Sequence, residues 1–123
     1  MASRATIRWR DEPEGDDYPA ALAYLSLTFK PKVANAFVQK LRDAKITKFE
    51  AKDVFRASSL PALGADNSHV KQDRKKIHER KSLAPLLLVR MPELGKVIIA
   101  DGYHRLCAVY SYDEDAVIPC KIV

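Results

Sequence analysis

The stretch Lys96-Val-Ile-Ile-Ala-Asp-Gly-Tyr-His-Arg105 decides how this chain folds. Residues 96–100 form an apolar run rich in β-branched residues, which is typical of a strand buried on both faces. Asp101 and Gly102 interrupt that run, and residues 103–112 then resume the apolar spacing of a helix. The sequence therefore predicts a buried strand that passes through a glycine turn directly into a helix.

This strand-to-helix turn combines features that hold an anion. Gly102 lets the backbone turn sharply, and the helix that follows presents unpaired N–H groups and the positive end of its dipole. Arg105 offers a planar fork of donors suited to phosphate oxygens, and His104 can supply a hydrogen bond or a proton. Gly102, Tyr103, His104 and Arg105 are therefore predicted to bind a phosphate-bearing ligand.

Asp101 has two predicted roles at this turn. It could hold a magnesium ion beside the phosphates, or it could orient Arg105. Asp101 and His104 are the candidate catalytic groups, while Asp66 is a candidate base by residue type alone. A structural interpretation stays open as well, in which Asp101 caps the helix, Arg105 pairs with Asp101 or Asp113, and His104 is an ordinary surface histidine.

The chain before this region is predicted to be mainly helical. Apolar spacing indicates a short strand within residues 6–10 and helices over 20–29, 31–44 and 49–58. Thr47 and Glu50 have the spacing of a capping box that would begin the third helix.

The rest of the chain is predicted to add one helix and two strands to the central stretch. A helix over 69–80 would be capped by Asn67 or Ser68, and strands are expected at 85–90 and 116–123, with Pro119 favouring the edge of a sheet. We expect one α+β domain over residues 1–123. It would consist of a helical portion at 1–58 and, at 59–123, a small mixed sheet with flanking helices.

The formal charge is +5, from 21 Lys and Arg against 16 Asp and Glu, and the charges are unevenly distributed. An acidic run covers residues 11–17 and a basic run covers 71–81. One interpretation is that side chains of the second run form a surface that binds an anion or nucleic acid. The alternative is a non-enzymatic module whose basic helix at 69–81 binds nucleic acid or a protein, and a solvated helix face is a third interpretation.

Asp101-Gly-Tyr-His-Arg105 resembles the turn of the ParB/sulfiredoxin superfamily, in which a strand ends in a Gly-containing motif that opens a helix and binds nucleotide phosphates. The motif reads Gly-Glu-Arg-Arg in ParB proteins and Gly-Gly-Cys-His-Arg in sulfiredoxins, and it is also similar to the Asp-Gly-His-x-Arg turn of free-serine kinases. The resemblance covers about residues 58–123. It implies ATP or CTP with magnesium as ligand, and a weak NTPase or phosphotransferase activity. It also implies that basic side chains of the helix at 69–80, together with Asn67, complete the phosphate pocket: Lys71, Arg74 and Lys75.

The chain departs from these families at defined positions. Tyr103 stands where sulfiredoxins have their nucleophilic cysteine, and a phenol cannot perform that thiol chemistry. His104-Arg105 replaces the paired arginines of ParB, and no DNA-binding helix-turn-helix follows the last strand. Sulfinic-acid reduction and ParB-type chromosome segregation are therefore not expected.

Composition excludes several other classes of protein. Two cysteines are too few for a disulfide scaffold, and His69 and His78 are poorly spaced for a zinc site, so no zinc is expected. No apolar run approaches the length of a membrane span, and the first ten residues lack a signal core. We therefore expect a cytoplasmic protein that contacts a nucleotide or phosphorylated small molecule and no membrane.

Overall fold

The computed structural model describes residues 6–123 and has an α+β fold. The strands are β1 (Arg8–Trp9), β2 (Thr47–Glu50), β3 (Ser82–Leu83), β4 (Leu86–Met91), β5 (Lys96–Asp101) and β6 (Val117–Ile122). The helices are α1 (Asp17–Leu25), α2 (Pro31–Asp43), α3 (Ala51–Ser58), α4 (Ser68–His78) and α5 (Tyr103–Tyr112), and a short 3₁₀ turn covers Pro92–Leu94.

A mixed four-stranded sheet in the order β2-β6-β4-β5 forms the centre of the fold. β4 runs parallel to β6 and antiparallel to β5, and β2 pairs antiparallel with β6. The two short strands β1 and β3 form a separate parallel pair. This architecture matches the small mixed sheet with flanking helices that the sequence predicts.

Helices cover both faces of the sheet, and β4 shows why. Leu86 and Leu88 pack into one buried cluster with α3, α4 and α5, whereas Leu87 and Val89 pack into another with α1 and α2. Successive side chains of a strand point to opposite faces, so an uninterrupted apolar run is buried on both sides. β5 behaves likewise, since Ile99 joins the first cluster and Ala100 the second.

The capping box predicted at Thr47 and Glu50 is wrong, because both residues belong to β2. Glu50 does precede α3, but its side chain makes no capping hydrogen bond. The first N–H groups of the helix are satisfied from elsewhere, since Ala51 and Lys52 donate to the carbonyls of Ala116 and Glu114, both at 2.9 Å. Tertiary hydrogen bonds thus replace the local cap, and pairing with β6 holds residues 47–50 extended.

The sheet edge predicted from Pro119 is also wrong, because β6 lies between β2 and β4. Pro119 is nevertheless tolerated in an inner strand. The parallel ladder with β4 begins one residue later, at Cys120, which pairs with Leu86. The missing N–H of the proline therefore removes no bond from that part of the ladder.

Other boundaries follow the sequence closely. α2 and α5 occupy the predicted segments, and Asn67 caps α4 as expected. α1 differs, since it begins at Asp17 and ends at Leu25. Among residues 6–123, no helix has the length and apolar character needed to cross a membrane.

Candidate functional site

The turn between β5 and α5 requires glycine. Gly102 has φ +107°, which L side chains rarely adopt. A Cβ at this position would lie 2.8 Å from Cγ of Leu86 and 2.9 Å from Nη2 of Arg105. The absence of a side chain therefore lets the β4 core and the arginine approach the turn closely.

The amino terminus of α5 has no side-chain cap. Gly102 is its N-cap residue and makes no side-chain hydrogen bond, and the first helical bond runs from the Leu106 N–H to the Gly102 carbonyl at 2.9 Å. The N–H groups of Tyr103, His104 and Arg105 precede that bond, so they have no carbonyl partner within the helix. Three backbone N–H donors and the positive end of the helix dipole thus lie together at the first turn of α5.

Asp101 does not cap the helix, because its carboxylate binds Arg105. Nη2 of Arg105 lies 2.8 Å from Oδ2 of Asp101, and Nη1 lies 3.9 Å from Oδ1 of Asp17 at the start of α1. Nη2 is also 3.5 Å from the Pro85 carbonyl, and Nε is buried without a hydrogen-bond partner. Arg105 thus links α5 to β5 and α1, as the structural alternative for this residue anticipated.

Burial raises the pKa of the Asp101 carboxyl. The positive charge of Arg105 and its hydrogen bond act in the opposite direction, while the neighbouring carboxyl of Asp17 adds to the increase. The two aspartates therefore share one guanidinium, and protonation of Asp101 becomes easier than for an exposed aspartate.

His104 faces a second histidine across the gap between α4 and α5. The rings of His104 and His69 have centroids 4.7 Å apart, and both residues lie near the beginning of their helices. Burial lowers the pKa of His104, the charge of His69 lowers it further, and the carboxylate of Asp73 raises it. Burial in turn raises the pKa of Asp73, against the effect of the cations around it.

The loop before α4 borders the same end of α5. The hydroxyl of Tyr103 donates to the carbonyl of Pro61, and the Leu63 N–H donates to Sγ of Cys107 at 3.4 Å. Asn67 uses its side-chain carbonyl to cap α4, accepting from the N–H groups of residues 69 and 70. Asp66 is exposed in this loop.

The basic side chains predicted to complete the pocket lie elsewhere. Arg74 stacks over the ring of Tyr112, 4.4 Å from its centroid, and donates to Oγ of Ser111. Ser111 is seven residues beyond His104, or about 10 Å along the helix at ~1.5 Å per residue. Lys71 and Lys75 border the same groove as Arg74, which we call the α4 groove and which is lined by Ser68, Lys71, Gln72, Arg74, Lys75, His78 and Tyr112.

The magnesium ion predicted at Asp101 has no cluster of ligands around it. Within the described chain, 6–123, no three His, Cys, Asp or Glu side chains lie together as a metal centre requires. The Asp101 carboxylate is also occupied by a guanidinium. Magnesium at this residue stays a prediction, and the function proposed below does not depend on it.

Three residues of the site were missed by sequence reasoning: Asp17, His69 and Asp73. Asp17 lay within an acidic run whose members looked equivalent. The sequence spacing of His69 and His78 excludes a shared zinc site, but it does not show that His69 faces His104. The spacing of His69 and Asp73, four residues apart on one helix face, was the signal that could have identified them.

Comparisons of the chain with protein-family models, with curated proteins and with solved structures found no match.

Proposed function

We propose that the amino-terminal turn of α5 binds a phosphate group. The observation that carries this proposal is the uncapped first turn, whose N–H donors at residues 103–105 follow a glycine in the left-handed region. A phosphate accepts hydrogen bonds from several such donors at once and interacts favourably with the helix dipole. No side chain occupies the capping position, because Asp101 is directed to Arg105 instead.

The histidine pair supports anion binding from the α4 side. His104 and His69 lie at the same end of the site, and the carboxylate of Asp73 favours the protonated form of His104. A bound phosphate would favour that form further, because it adds negative charge beside the ring. Binding would then be accompanied by uptake of a proton at His104 near neutral pH.

Arg105 acts in this proposal as a positioning residue. Two of its nitrogens face aspartates and its side chain is only 17% exposed. Arg105 therefore holds the turn in place against α1 and β5 and does not point towards the ligand. The guanidinium also balances part of the charge of Asp101 and Asp17, which would otherwise repel an anion. Loss of Arg105 would therefore weaken binding and the fold together.

A nucleotide is the ligand class we propose, with ATP and CTP as the first candidates. The reason is the resemblance of Asp101-Gly-Tyr-His-Arg105 to ParB/sulfiredoxin-type turns, which hold nucleotide phosphates at the start of a helix. The loop that α5 holds by hydrogen bonds at Pro61 and Leu63 borders the site. In this proposal it contacts the sugar or base of the nucleotide. A phosphorylated small molecule would use the same donors.

Calorimetric titration with inorganic phosphate, ATP, CTP, GTP and ADP, with and without magnesium, tests this function. Wild-type protein is expected to bind at least one of these ligands, and His104→Gln is expected to weaken binding about tenfold through the loss of a charge-assisted hydrogen bond. Lys32→Gln is the matched control, because it also removes a basic side chain, and Lys32 is exposed on α2, on the opposite face of the sheet from α4 and α5. Absence of binding by wild type, or equal losses in the two variants, would contradict the proposal.

A further inference from the structure

We propose that the α4 groove is a second site, independent of the turn, and that it binds the phosphate backbone of a nucleic acid. The groove has a volume of about 550 Å³, and four of its seven lining residues are basic or histidine. None of the seven is acidic. Its ligand must therefore supply negative charge.

Within residues 6–123, no ion pair neutralises the two lysines of this groove. Lys71 and Lys75 are exposed, and neither forms an ion pair within residues 6–123. Two neighbouring lysines differ, since Lys76 lies 3.8 Å from Asp73 and Lys81 lies 3.3 Å from Glu79. The unpaired cations thus face the groove, and an anion that binds there displaces no internal partner.

Arg74 is fixed in place beside these lysines. Its guanidinium lies over the ring of Tyr112 and donates to Ser111. An arginine held in this way loses little conformational entropy when it contacts a phosphate. One face of the aromatic ring is already covered, so the groove is better suited to contacts with a backbone than to stacking of bases.

The arrangement of the cations favours a polymer over a small phosphorylated molecule. Lys71 and Lys75 lie one turn apart on the same face of α4, about 6 Å along the helix axis, and Arg74 lies between them in the sequence. Charges in such a row can contact successive phosphates of one strand. Arg74 is already held by Tyr112 and Ser111, and lysines act on phosphates as point charges, so we infer binding through the backbone that does not depend on base sequence.

Fluorescence anisotropy with a short labelled DNA duplex of arbitrary sequence, and with its single strand, tests this inference. Wild-type protein is expected to bind at low salt, with a log–log salt slope for the duplex of about −0.9 for each neutralised phosphate, or near −3 if Lys71, Arg74 and Lys75 each neutralise one. The double variant Lys71→Gln/Lys75→Gln is expected to bind about tenfold more weakly and to lose roughly two units of that slope.

The control is Lys32→Gln/Lys40→Gln, which removes the same net charge from exposed positions of α2, on the opposite face of the sheet. It is expected to bind within about twofold of wild type. Failure of wild type to bind either probe at low salt would overturn the inference. An equal loss in the control would overturn it as well, since binding would then reflect net charge alone. Displacement of the duplex by polyglutamate as efficiently as by unlabelled duplex would assign the groove to acidic peptides instead.

Discussion

Replacement of Gly102 by alanine is the sharpest perturbation of the turn. Alanine at this position must adopt φ +107°. A left-handed backbone conformation costs an L residue about 1–2 kcal/mol. The new Cβ would also lie 2.8 Å from Cγ of Leu86, a fully buried side chain, and 2.9 Å from Nη2 of Arg105. Overpacking of this kind costs about 1–3 kcal/mol.

We therefore expect Gly102→Ala to lower the free energy of unfolding by about 2–5 kcal/mol. That is a large part of the roughly 5–15 kcal/mol typical of a domain. Gly95→Ala is the matched control, because Gly95 also has a positive φ, +62°, but its Cβ would meet nothing within 4 Å. The control isolates the backbone cost and should lose about 1–2 kcal/mol.

Urea unfolding followed by circular dichroism measures the free energy of unfolding of both variants. The two values can be compared when the dependence of that free energy on urea concentration is the same as in wild type. The informative quantity is the difference between the two losses, which contains the close approach of Leu86 and Arg105 to the turn and the extra backbone cost of φ +107° over φ +62°. Equal losses in the two variants would refute the proposed packing of the turn, whatever their absolute size.

Three further predictions concern titratable groups. The phosphate affinity of wild type, relative to that of His104→Gln, should fall as pH rises from about 6 to 8, since the pKa of free His104 is lowered and binding should require its protonation. The variant removes the contribution of phosphate ionisation, which is common to both proteins. Calorimetry in two buffers of different ionisation enthalpy checks the proton uptake, and equal pH dependence in the two proteins would contradict the prediction. Burial raises the pKa of Cys120 to about 12 and also raises that of Cys107. Neither thiol should therefore react with a disulfide reagent at pH 8 until the protein unfolds. Immediate labelling of the native protein would contradict this prediction, because it would show that the thiols are accessible. Asp17→Asn should lower the pKa of Asp101, because a carboxyl that raises this pKa is removed. Carbon-detected NMR titration of the Asp101 carboxyl measures the shift, and an unchanged pKa would show that the two groups do not interact.

The segments that the sequence predicts best are those in which local preference and packing agree. The glycine of Asp101-Gly102 separates a β-branched run from a helical one, and the structure changes element at that residue. Residues 47–50 illustrate the opposite case. Their short polar and aromatic pattern suits the start of a helix as well as a strand, and only pairing with β6, distant in the chain, selects the strand.

The composition of the site was less predictable than its location. The turn was identified from local residues, whereas the partner of Arg105 on α1 and the histidine opposite His104 on α4 are brought in by the fold. Arg74 shows the converse error. It belongs to a basic run that is predicted to reach the turn, but its side chain lies over Tyr112 at the far end of α5.

The most direct test of phosphate binding at the α5 amino terminus is a titration of isotope-labelled protein with inorganic phosphate, followed by nitrogen–proton correlation NMR. We predict saturable shifts of the backbone amide signals of Tyr103, His104 and Arg105, because these N–H groups would gain an acceptor that they lack within the helix. The amides of the α4 groove report separately on phosphate that binds at the second proposed site. Saturable shifts confined to that groove, with the signals of residues 103–105 unmoved, would contradict the account.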